Sequence, residues 1–288
     1  PLSDPPCHPK VCTDMKILLR AALLAALAAA APAAAELLVA PTRVILTAAN
    51  RTAELVLVNK STEAAAFRLA LENRRMRSDG SLETADEARP DEKFAADKLR
   101  FSPRQLMLEP GARQVVRIMT ETADLPPGEY RSHLRLMSAP VSAARTQTSV
   151  AGAAPGSDNS LSIELIAIRS ITVPVILRVG TLAASVTVDG AALAEKASNQ
   201  LVVKMTRQGT RSTYGDISLT VDGEKQPAWL VRGVAIYTPN SSRDVILPLP
   251  AETRARLAGK RVRITYVSTD GGEPALAGSV LASLTATL

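Results

Sequence analysis

Along most of this chain apolar residues recur at every second position, in short runs rich in Val, Ile, Leu and Thr that Gly, Pro, Asn and Asp interrupt. Period-two alternation between turn residues is the signature of half-buried strands. One set of runs covers 37–46 (LLVAPTRVIL), 53–58, 65–74, 113–120, 129–137 and 161–178. After Val179-Gly180 the pattern restarts at 182–188, 200–207, 216–221, 228–237, 243–248, 261–267 and 278–287. The reading is an all-β chain of two sandwich domains, 36–179 and 180–288. A single short helix is expected at 250–258, where Pro250 suits a helix start and Gly259 its end.

Three stretches modulate this pattern. In LPPGEYRSHLRL, Tyr130, Ser132, Leu134 and Leu136 share the face expected to be buried, and Arg131, His133 and Arg135 share the polar one, which predicts a solvated histidine. Tyr130, two residues after Gly128, fits either the tyrosine corner of immunoglobulin-like sandwiches or a half-buried strand tyrosine. The segments 76–98, dense in charge, and 138–160, rich in Ala, Ser, Thr and Gly, read as long loops. Loops beyond about 12–15 residues are usually functional or mobile. The second leads into LSIELIAIRSITVPVIL, in which Leu161, Ile163, Leu165, Ala167, Ile171 and Val173 share one parity and Arg169 interrupts. Such a strand is either a central core strand or an edge that offers unpaired backbone groups to another chain.

The start of the chain has a different character. From Met15 the sequence MKILLRAALLAALAAAAPAAA places Lys16 and Arg20 ahead of an Ala/Leu stretch that ends in small residues, a cleavable secretory signal over 15–35. The apolar run is shorter than the roughly 18 residues of a membrane span, so no stable insertion is expected. Residues 1–14 precede the signal and read as translated sequence upstream of the true start. They hold Cys7, Cys12 and His8, which leaves the exported chain without a thiol and with His133 alone.

This inventory excludes several functions. From Glu36 onward there are 31 Lys and Arg against 26 Asp and Glu, a net of +5, with three Phe, four Tyr and one Trp that do not cluster. A mild positive excess without stacking aromatics argues against nucleic acid as a partner. One histidine and no cysteine leave no base for a Ser or Cys nucleophile and too few ligands for zinc or copper. Asp86/Glu87 and Asp91/Glu92 lack calcium-loop spacing and read as solvated, and the glycines punctuate turns rather than cradle phosphate. No catalytic residue, metal or cofactor is expected.

The order LLVAPTRVIL, FSPRQLMLEPGARQVVRI, LPPGEYRSHLRL and SITVPVILR after an export signal resembles the PapD-like periplasmic pilus-assembly chaperones. The resemblance spans 37–288 and is weaker in the second domain. It implies two immunoglobulin-like domains set at an angle in an L, with a cleft between them. It also implies that the last strand of the first domain completes unfinished pilus or fimbrial subunits by donor-strand complementation, before delivery to an outer-membrane usher. The subunit-binding set so implied is Arg43, Ile163, Leu165, Ala167, Arg169, Ile171 and Val173. Arg43 matches the family arginine that holds the subunit's terminal carboxylate. The family's partner lysine is absent, since no Lys lies between Lys98 and Lys196. Arg169, Arg178 or backbone donors are the replacements considered. The other reading is a secreted structural or adhesive sandwich protein of a surface fibre.

Overall fold

The computed structural model describes residues 37–120, 125–139, 147–149, 162–164, 169–195, 199–269 and 276–288. The first half contains β1 (Leu37–Ala40), β2 (Val44–Thr47), β3 (Thr52–Asn59), β4 (Ala65–Glu72), β5 (Arg74–Met76), β6 (Leu82–Thr84), β7 (Leu99–Ser102), β8 (Gln105–Leu108), β9 (Arg113–Thr120), β10 (Gly128–Ala139), β11 (Gln147–Ser149), β12 (Ser162–Glu164) and β13 (Ser170–Val179). The second contains β14 (Ala184–Leu193), β15 (Gln200–Gly209), β16 (Thr213–Val221), β17 (Trp229–Ile236), β18 (Ser242–Pro248), helix α1 (Ala251–Leu257), β19 (Arg261–Ser268) and β20 (Val280–Thr287).

These strands build two sandwiches, as the alternation predicts. In the first, a sheet ordered β1-β3-β9-β7 faces one ordered β2-β13-β10-β4-β8. Their inward positions interlock as a single core that includes Leu55, Leu57, Val116 and Ile118 with Leu134, Leu136, Val175 and Leu177. In the second, β14-β15-β18 faces β17-β16-β19-β20 over Leu201, Val203, Ile217, Leu219 and Ile264. Helix α1 contributes Leu257 to that core, and Gly259 follows it at φ +70, the left-handed conformation that closes a helix C-terminus. The Tyr130 hydroxyl donates to the Pro126 carbonyl at 2.9 Å, four residues upstream, which is the tyrosine-corner arrangement.

The fold departs from the sequence expectations in the runs at 37–46 and 161–178 and in the segment 76–98, among other places. The run at 37–46 is two strands: β1 pairs with β3 in one sheet and β2 with β13 in the other, so the chain changes sheets around Pro41, which has no N–H to give a ladder. The run at 161–178 is described in two pieces, because β12 pairs with β11 in a sheet of its own and β13 begins at Ser170. Finally, 76–98 is not loop throughout: Asp86, Glu87 and Asp91 are exposed as expected, but the segment carries a hairpin and Glu92 is buried. β5 and β6 form the hairpin, and Glu92, 9% exposed, is held by Arg75 at 2.5 Å and by the Arg89 N–H at 2.9 Å. Those bonds, the one from Arg75 foremost, hold the Glu92 carboxyl below the usual carboxylate range.

Candidate functional site

β13 is paired unequally on its two sides. Against β10 it is bonded along its whole length, from Ser170 opposite Met137 to Val179 opposite Gly128. On its other side β2 runs parallel and covers only Val175 to Arg178. Among the described residues no strand pairs with Ser170–Pro174 on that side, because the chain reaches this sheet from the other one and joins it only at Val44. Unpaired backbone of this kind is a template for strand addition. Along the open stretch Ile171 is 37% exposed, whereas Val173 is 2% exposed and belongs to the core.

The residues expected to bind subunits are therefore only partly assembled. Ile171 and Val173 lie on the open stretch. Arg169 precedes it with an exposed side chain, its N–H bonded to the Ser138 Oγ and its carbonyl accepting the Ser138 N–H, both at 2.8 Å. Ile163 has its backbone in the separate β11–β12 ribbon, opposite Thr148. Leu165 and Ala167 lie outside the described residues. Arg43 stands one residue before β2, at the point where the open stretch begins.

Arg43 also marks the edge of a second feature. Odd-numbered residues of β2 and β10 and even-numbered residues of β13 share the sheet face that points away from the core, as the register of Ile45 with Ile176 and of Ile176 with Arg131 requires. That face is covered by the second sandwich. Met76 and Ile176 pack there against Ala235 and Tyr237, with Ile45, Leu82 and Tyr214 around them. The Arg43 guanidinium lies 4.6 Å from the Tyr214 ring and 5.5 Å from the Tyr237 ring, and the Arg131 guanidinium lies 4.3 Å from Tyr237. Rings so placed attract a cation through their negative faces.

This burial overturns the expected solvated histidine. His133 is 1% exposed, its ring edge-on to Tyr237 with centroids 6.5 Å apart. Burial, then the positive charges of Arg131 and Arg74, push its pKa from the ordinary 6.5 down to about 3, so the ring is neutral. Neither of its nitrogens has a hydrogen-bond partner among the described residues; the same holds for Nε and Nη1 of Arg131 and for all three guanidinium nitrogens of Arg43. Arg131 is 4% exposed. Burial lowers its pKa most; Tyr237 and Glu129 oppose the shift, and the like charge of Arg43 adds to it.

Next to this unpaired group lies a fully paired one. Glu129, with no side-chain exposure, accepts from Arg178 Nε at 3.0 Å, from the Ser212 N–H at 3.0 Å, from the Ser212 hydroxyl and from the Thr238 hydroxyl at 3.3 Å. Arg178, considered as a substitute for the missing lysine, is thus committed to Glu129, which ties the sandwiches together through Ser212 and Thr238 of the second. The β5–β6 hairpin adds a second tie: the Asp244 N–H donates to the Ser78 carbonyl at 2.8 Å and Asn240 Nδ2 to the Met76 carbonyl at 3.0 Å.

No protein-family model matches the chain, and no curated protein matches it. Among solved structures it is similar to the CupB2 chaperone of Pseudomonas aeruginosa at 15% identity, over 87% of this chain and 100% of that one, with a TM-score of 0.41. It is similar to the chaperone DraB of E. coli at 17% identity, over 88% and 97% of the two chains, with a TM-score of 0.40. It is also similar to the structure of the Salmonella enterica SafA pilin in complex with the SafB chaperone, at 16% identity over 90% and 99%, with a TM-score of 0.42.

Proposed function

We propose that this protein is a periplasmic, non-enzymatic chaperone that captures pilus or fimbrial subunits by donor-strand complementation and delivers them to an outer-membrane usher. The observation that carries the reading is the edge of β13 at Ser170–Pro174, unpaired among the described residues, running out from Arg43, a half-buried residue whose guanidinium nitrogens are buried. An incoming strand adds to that edge through main-chain hydrogen bonds, and apolar side chains at alternate positions decide which strand is accepted. Ile171 and Val173 would lie at the inner end of the donor strand, with Arg169, Ala167, Leu165 and Ile163 continuing it outward. A guanidinium grips a carboxylate with two parallel bonds, which suits Arg43 to the end of a bound chain. The segment 15–35 would direct export and be removed.

The test is co-expression of the exported protein with small secreted subunits encoded nearby. Soluble one-to-one complexes are expected, with Arg43→Ala and Ile171→Asp each reducing recovered subunit severalfold. Recovery of no subunit by the wild type, or wild-type recovery by both variants, would sink the reading. Self-polymerisation of the purified protein would instead support a fibre component.

A further inference from the structure

We infer that Pro174 sets the limit of the open edge: β13 offers a partner strand its main chain at Ser170 and Thr172, and the added strand must stop where Pro174 has no N–H to give. The inference rests on the chaperone reading and adds to it which residues of the edge bind and which one ends the bound strand.

In an antiparallel pair, facing residues alternate between those that bond to each other and those whose N–H and C=O point away. The Ser138 N–H donates to the Arg169 carbonyl at 2.8 Å, and these two residues face each other one step beyond the register pair of Met137 with Ser170. Arg169 is therefore turned towards β10, and so are Ile171, Val173, Val175 and Leu177. Ser170, Thr172, Pro174 and Ile176 turn their backbone groups the other way. The bond of Arg131 agrees: it faces Ile176, and its N–H leaves the ladder with β13 and donates to the Lys93 carbonyl at 2.9 Å.

Along the stretch that no described strand covers, Ser170 and Thr172 thus present both an N–H and a C=O. At Pro174 the ring takes the place of the N–H. The two uses of this side of β13 meet at that residue, because β2 covers the side from Val175 onward, and its register carried back one step sets Arg43 beside Pro174. A strand reaching past Thr172 would bury a carbonyl for which β13 has no donor, and leaving a buried polar group unpaired costs more than a made bond returns. Within sheets proline is tolerated where the missing N–H faces an edge. Turned towards β10, the same ring would have interrupted the ladder that holds β13 in its sheet. The side chains divide by the same parity: Val173, in the core, and Ile171, 37% exposed, share one face, and Ser170 and Thr172 share the other. The partner that fits is an extended segment of another chain, with apolar side chains on the face of Ile171 and no proline where it meets Ser170 and Thr172.

The probe is a short, soluble peptide of alternating Val and Thr, blocked at both ends so that no terminal charge takes part. Amide hydrogen exchange of the exported wild-type protein, followed by NMR, is expected to slow severalfold at Ser170 and Thr172 when the peptide is present. It should stay unchanged at Ile171 and Val173, whose N–H groups β10 already holds. In Pro174→Ala the new amide at position 174 is expected to exchange freely without the peptide and to slow with it, and the peptide should bind about fivefold tighter, the worth of one net hydrogen bond. An amide at position 174 that is slow without peptide overturns the stop, since β2 would then have taken the site, and so does unchanged affinity in Pro174→Ala. Protection of Ile171 and Val173 in place of Ser170 and Thr172, or of none of them, overturns the assignment of the edge; both outcomes are read on the wild type, whether or not the variant folds. Subunit recovery in co-expression decides the chaperone reading separately: wild-type recovery beside any of these results leaves it standing, and no recovery beside the expected protection sinks it alone.

Discussion

At the residue scale the clearest consequence of the covered sheet face is acid sensitivity. An unfolded chain protonates His133 near its ordinary 6.5, while the native ring resists protonation until about 3. Between those values the unfolded state binds more protons, so stability rises with pH and falls as acid is added. The slope is about 1.4 kcal/mol per pH unit once the unfolded ring is largely protonated. Denaturant titrations at neutral pH and at about pH 5 should show the wild type losing ~2 kcal/mol more than His133→Asn; equal losses would place the ring in solvent. A second expectation concerns Tyr130, where Tyr130→Phe removes the bond to Pro126 and should cost about 1 kcal/mol in the same assay. Both residues illustrate what a sequence discloses at this scale. The tyrosine corner is local, four residues apart, and was legible. The burial of His133 was not, because strand parity tells which face a residue is on and not what covers that face.

At the scale of the element, β13 carries two environments on one strand. Val173→Asp would bury an unpaired carboxylate in the first core and is expected to abolish folding, since an isolated buried charge costs far more than a domain can spare. Ile171→Asp, two residues away and exposed, should change stability by no more than about 0.5 kcal/mol while reducing subunit recovery. Thermal melts beside co-expression yields separate the two, and a large loss of stability in Ile171→Asp would contradict an open edge. Most strands were legible from alternation alone, including β9, β15 and β19 with bounds close to those observed. β7 and β8 were not; each is four residues long, too short for a period-two pattern to stand out. The split of 37–46 between sheets escaped as well, since Pro41 there also suits an edge strand.

For the whole molecule, the relation between the sandwiches rests on a few polar contacts around Glu129 and on the hairpin. Glu129→Ala takes a shared acceptor from the buried Arg178 and Ser212 and is expected to cost about 3 kcal/mol, with a broadened distance distribution in small-angle scattering. An unchanged distribution would mean that the apolar patch of Met76, Ile176, Ala235 and Tyr237 alone fixes the arrangement. None of this interface was legible in the sequence. Its residues lie far apart along the chain, Glu129 and Thr238 for example, and they look like ordinary surface charges and turn residues until two separately folded cores meet. Arg43, and Arg178 as a stand-in considered for the absent lysine, could be singled out beforehand, through resemblance. The crossing at Pro41 has one more effect. Were β2 to join its sheet five residues earlier, it would run beside Ser170–Pro174 and close the only gap along that side of β13 among the described residues. What leaves this edge of β13 open is thus decided far upstream of β13 itself, by the place where an unrelated segment changes partners.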